Sequence, residues 1–90
     1  MSTLKIPTPL RSYTNGQVEV TVNGGNIAAA MTSLINQYPA LKPHLYDETG
    51  DLRAFVNLFL GENNINDLQG LETPLGENDR LILIPSIAGG

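Results

Sequence analysis

The sequence predicts an α+β domain in which a mixed sheet of four to five strands packs on one main helix. Three observations lead there. A segment of alternating valines near the start reads as a half-buried strand. One later segment carries a helical apolar stripe. Two further segments are apolar on both faces, as strands inside a sheet are.

In TLKIPTPLR, Leu4 and Ile6 alternate with Lys5, a strand signal that Pro7 and Pro9 should weaken or confine to an edge. Asn15-Gly16 follows, and both residues tolerate positive φ, so the pair predicts a hairpin turn. Val18, Val20 and Val22 then alternate with Glu19 and Thr21, forming the second strand of the hairpin. From Ile27 the period changes: Ile27, Met31, Leu34, Ile35 and Tyr38 fall on one side of a helix. Asn26 suits its N-cap and Pro39 its stop. A short helical turn is expected around Leu41 to Tyr46. RAFVNLFLG reads as the third strand, apolar on both faces except at Asn57. A turn-rich stretch follows, with Ile65, Leu68, Leu71 and Leu75 expected to pin it to the core. RLILIP is the last strand. A hairpin cannot bury its apolar face alone, so the helix must cover it. If the last strand lies beside the first, they run parallel in mid-sheet, which is the β-grasp arrangement. A ferredoxin-like split β-α-β is the alternative.

Ninety residues make a single domain, 1–90, and 41% hydrophobic with 16% charged residues suits a folded globule. A net charge of −4 and a pI near 4.6 argue against a nucleic-acid surface. No run approaches a membrane span, and MSTLKIPTPLR lacks signal-peptide order, so a cytoplasmic, dispersed and monomeric protein is expected. The absence of cysteine excludes a disulfide framework, a thiolate nucleophile and a Cys metal site.

Side-chain catalysis finds little support. His44 is the sole histidine and reads as a loop residue, and no resident metal or cofactor is expected. Asp47, Glu48 and Asp51 cluster without EF-hand spacing, as in a solvated acidic loop. VNGGN lies between a strand and a helix but lacks a P-loop lysine and the full dinucleotide fingerprint, so it reads as a turn and cap. The apolar surplus says more. Leu81 and Leu83 oppose Ile82 and Ile84, and Phe55 and Phe59 oppose Val56, Leu58 and Leu60. One set should form an exposed partner surface, unless residues 61–79 fold over it.

The last strand runs into PSIAGG, where slim residues end in Gly89 and Gly90. With IPTPLR, TNGQ, FVNLFL and GLETPLGENDRLILIPSIAGG, the chain resembles the ubiquitin-like sulfur carriers of the MoaD/ThiS family, closest to the CysO-like, small-modifier branch. The likeness covers nearly the whole chain and is most specific from Thr73 to Gly90. It departs at GENNIND, where Asn66 stands in place of an arginine, so no role of that arginine carries over.

The resemblance implies a carrier and not an enzyme, unless it acts as the small subunit of a sulfur-transferring enzyme such as molybdopterin synthase. A MoeB/ThiF-like activating enzyme, the user of ATP, would adenylate the Gly90 carboxylate, and sulfur would displace AMP to leave a thiocarboxylate. Gly89 and Gly90 would pass a channel that a Cβ blocks, at the end of a flexible tail of about residues 86–90. Phe59, Leu60, Ile82, Ile84, Pro85, Ile87 and Ala88 would dock the activating enzyme and a downstream acceptor, cysteine synthase or the large subunit of molybdopterin synthase. Cysteine synthesis and molybdopterin are the expected destinations, with thiamine behind them. A lysine-conjugated modifier is the alternative, and a plain binding module with an incidental Gly-Gly is a third reading.

Overall fold

The computed structural model describes residues 2–53 and 56–85, the last by its backbone. Five strands, β1 (Ser2–Lys5), β2 (Glu19–Val22), β3 (Val56–Leu60), β4 (Asn63–Asn64) and β5 (Arg80–Pro85), form one sheet in the order β2-β1-β5-β3-β4. Strands β1 and β5 are parallel, with Thr3, Leu4 and Lys5 in register with Arg80, Leu81 and Ile82. The other pairs are antiparallel. This is the β-grasp arrangement, and it excludes the split β-α-β alternative.

Helix α1 (Ile27–Gln37) covers one face. It begins where expected because Asn26 Oδ1 accepts from the Ala29 N–H at 2.8 Å, satisfying a donor with no intrahelical partner. It ends at Gln37 because Pro39 cannot continue the ladder. Its buried stripe, Ile27, Ala30, Met31 and Leu34, meets Leu4, Val20, Val22, Leu58, Leu81 and Leu83 from the sheet. A short 3-10 turn (Pro39–Leu41) and helix α2 (Lys42–Leu45) after it bury Leu41 and Leu45 in the same core, matching the turn expected there.

The hairpin departs from expectation. Strands β1 and β2 do pair, but Thr8–Thr14 between them forms a 3-10 helix. Prolines 7 and 9 end β1, and their preset φ starts the helical turn at little cost. Asn15 and Gly16 do take positive φ, 55° and 81°, but as the left-handed end of that helix and not as a two-residue turn. Thr14, fully buried, ties the segment down by donating to the Arg11 and Gln17 carbonyls. Strand β2 therefore starts at Glu19, and Val18 is left outside it and exposed.

Residues 61–79 pack on the helix side. Ile65 is buried, and Leu71 and Leu75 lean on the core, whereas Leu68 is exposed and pins nothing. The Ile27 N–H donates to the Thr73 carbonyl at 3.1 Å and the Leu75 N–H to Gly25 at 2.9 Å. The stretch thus clasps the start of α1. Both sheet edges are blunted. Strand β4 is two residues long, and on β2 the Gln37 amide donates to the Thr21 carbonyl at 2.9 Å while Ser33 Oγ accepts from the Asn23 N–H at 3.1 Å.

Gly24 lies where β2 turns into α1, at φ 153°, and a Cβ there would stand 2.6 Å from Ala29 Cβ and 2.7 Å from Ala30 N. Backbone cannot yield as a side-chain tip does. Gly24→Ala should lower unfolding free energy by about 1–3 kcal/mol, read from urea midpoints at unchanged m. Gly16→Ala meets no atom within 4 Å and serves as the comparison for a positive-φ glycine without the clash.

Candidate functional site

The two faces of β3 and β5 separate cleanly. Leu58, Leu81 and Leu83 are buried under the helix. Phe59 is in register with Ile82, and Asn57 with Ile84, on the opposite face. Phe59 and Ile82 are half-buried, and Ile84 is 44% exposed. Because residues 61–79 lie on the helix side, they do not cover this face. Leu60 is a correction: it pairs with Leu81 and packs against the core, away from Phe59. The sequence signal that orients β3 is Asn57, the one polar residue of the strand, which shares the outer face with Phe59.

Strand β5 is hydrogen-bonded on both sides, and it points its C-terminal end where β1 ends and β3 begins. That end is braced. Arg11 Nε donates to the Ile6 carbonyl, and Arg53 Nε to the Pro43 carbonyl, each at 3.0 Å. The Tyr13 ring stacks on His44 with centroids 4.3 Å apart, joining the 3-10 helix to α2. Backbone pairing of β5 reaches Pro85, opposite Val56. The Pro85 side chain, Ile87, Ala88, Gly89 and Gly90, together with Phe55, lie outside the described residues.

A β-grasp domain whose central last strand aims its end out of the sheet, beside an open apolar face, defines the class of ubiquitin-like carriers. The chain belongs to the ThiS family, whose model matches residues 4–90. It is 32% identical over 90 residues to the sulfur carrier protein CysO of Mycobacterium tuberculosis, covering 98% of this chain and 97% of that one. Among solved structures it is similar to a chain of the Amycolatopsis orientalis BexX/CysO complex, with a TM-score of 0.89 and 28% identity over 100% of both chains. It is also similar to the small archaeal modifier protein 1 of Methanosarcina acetivorans, with a TM-score of 0.85 and 32% identity over 99% of this chain and 95% of that one.

The remaining candidates have local structural roles. At VNGGN, the N–H groups of Ile27, Ala29 and Ala30 donate to Thr73, Asn26 Oδ1 and Asn26 O, so the fold itself takes up three of the donors at the helix start. His44 serves the ring stack described above. Among the described residues, no group of three His, Asp or Glu side chains is placed to hold a metal ion, and no helix is long and apolar enough to cross a membrane.

In the acidic loop, Asp47 Oδ1 accepts from Thr49 Oγ1 at 2.6 Å, from Thr49 N at 2.9 Å and from Asp51 N at 3.2 Å. The carboxylate closes its own turn. The Thr49 hydroxyl chiefly lowers the Asp47 pKa below 3.8; the Thr49 and Asp51 N–H groups and Arg53 add to this, against a smaller desolvation. A depressed folded pKa stabilises above the unfolded value, and that contribution is lost as pH falls through the folded one. Thr49→Val should move Asp47 back up toward 3.8, read by carboxyl-carbon NMR titration; an unmoved midpoint would refute the hydroxyl's part.

Proposed function

We propose that the terminal carboxyl of Gly90 is the reacting group of this protein. The chain is a sulfur carrier, and its likeness to CysO over nearly the full length of both chains supports cysteine biosynthesis as the destination of the sulfur. In the proposed sequence a MoeB/ThiF-like enzyme supplies ATP. A Gly90 carboxylate oxygen attacks the α-phosphorus and pyrophosphate leaves. Hydrosulfide then attacks the acyl carbon, the acyl–phosphate C–O bond breaks, AMP departs, and the resulting thioacid loses its proton to leave a thiocarboxylate for transfer to an acceptor enzyme. The carrier binds no cofactor of its own.

The observation that carries this reading is the position of β5, paired on both sides and directed out of the braced end of the sheet. A strand held in this way fixes the base of the tail, so a partner need order only the residues beyond it. The absence of side chains at Gly89 and Gly90 suits a narrow adenylation channel. The outer face formed by Phe59, Ile82 and Ile84 is the proposed dock for the activating enzyme and then for the acceptor. The likeness to a chain of the BexX/CysO complex supports docking of this kind. Seated on an acceptor, the chain acts as the small subunit of the assembly, for which cysteine synthase is favoured over molybdopterin synthase. The likeness to small archaeal modifier protein 1 favours one second reading, amide conjugation of Gly90 to lysines.

Intact-mass spectrometry of the protein from its native host separates the two. A species heavier by one sulfur-for-oxygen exchange is expected, absent from a Gly90 deletion. Adducts on larger proteins would favour conjugation, and neither species would overturn both readings. Ile84→Asp should keep the fold, since Ile84 is 44% exposed, and should weaken adenylation by about tenfold or more in pyrophosphate release. Unchanged kinetics would remove Ile84 from the dock.

A further inference from the structure

The charges on the outer sheet face run against those of the chain. The protein carries nine acidic and five basic residues, for a net −4. Yet the strand positions on this face, Thr3, Lys5, Glu19, Thr21, Asn57, Phe59, Arg80, Ile82 and Ile84, hold two cations and one carboxylate. Lys5 lies beside Ile82 on the neighbouring strand, and Arg80 precedes Ile82 by one side-chain repeat on the same strand. A strand spacing of about 5 Å and a two-residue rise of about 7 Å put both cations against the apolar centre. Both are exposed, and among the described residues neither side chain is paired with a carboxylate, even though Glu19 is the register partner of Lys5.

We infer that this face is built for a protein partner whose apolar contact is bordered by carboxylates set opposite Lys5 and Arg80. The inference rests on the proposed dock and names the chemistry of its occupant. Unpaired cations beside an apolar patch gain little in the free carrier, whereas across an interface they steer encounter and fix register. A second copy of the chain fits poorly. Face-to-face pairing would bring two lysines and two arginines together with only two Glu19 carboxylates, both on edge strands. A polyanion such as RNA is disfavoured by the chain's own net charge of −4.

The test is ATP–pyrophosphate exchange by the activating enzyme from the same genome. It uses wild-type carrier, the double variant Lys5→Glu/Arg80→Glu, the milder Lys5→Gln/Arg80→Gln, and Lys42→Glu as a control on α2. At low salt the charge reversal should raise KM for the carrier about tenfold with kcat unchanged, and the glutamine pair by a smaller factor. The gap should narrow between about 50 and about 300 mM NaCl as screening removes the steering. Lys42→Glu should match wild type. Circular dichroism and melting curves check the folds, and the glutamine pair carries the test if the reversal unfolds. Wild-type KM in both double variants, or an equal rise in Lys42→Glu, overturns the inference while leaving the carrier reading intact. A wild-type dimer in sedimentation that the double substitution dissolves overturns it in favour of self-pairing, and RNA binding lost in the same variant overturns it in favour of a polyanion. No exchange with wild-type carrier overturns the carrier reading and this inference together.

Discussion

The parallel pairing of β1 with β5 is the constraint on which the rest of the structure depends. It joins residues near opposite ends of the chain, Thr3 with Arg80 and Lys5 with Ile82. Closing so long a loop costs entropy that no local contact repays, so the pairing must be held from both layers. Leu4 and Leu81 supply the apolar side under α1, each fully buried. Ser2 adds a polar tie, its hydroxyl donating to the Gly76 carbonyl at 2.9 Å. With β5 fixed between β1 and β3, the outer face and the exit of the chain from the sheet are set together. The carrier's chemistry needs little more from the fold, because the proposed reacting atom belongs to the backbone.

Much of this was legible in the sequence, for identifiable reasons. The stripe from Ile27 to Tyr38, the Asn26 cap and the Pro39 stop act within one helix, and local signals suffice there. Asn15-Gly16 misled because positive φ serves a 3-10 helix end as well as a hairpin turn, and the prolines before it decided between them. Strand β4 escaped notice because two asparagines make no pattern. The apolar surplus of β3 and β5 foretold an open face; the polar Asn57 marks its side of β3, and the register with β5 puts Phe59, and not Leu60, on it. Leu68 failed as a core anchor because residues 61–79 are held through Ile65 and backbone bonds to α1.

The division of labour among the side chains is consistent with a protein handled by enzymes. Among the described side chains, those that resembled a reactive site are held within the fold: Asp47 by its own turn, the start of α1 by Asn26 and Thr73, and His44 by contact with the Tyr13 ring. Lys5 and Arg80, whose side chains make no bond to a carboxylate among the described residues, share one surface with the exposed Ile84.

The sealed edges then take on a further meaning. A molecule with an open greasy face risks sticking to its own kind, and growth by strand addition would make that irreversible. Gln37 and Ser33 occupy backbone groups along the β2 rim, and the two-residue β4 offers almost nothing to copy. Joining of two copies edge to edge is thereby disfavoured. A shuttle can then circulate at high concentration and still part from every surface it meets, which is what turnover asks of it.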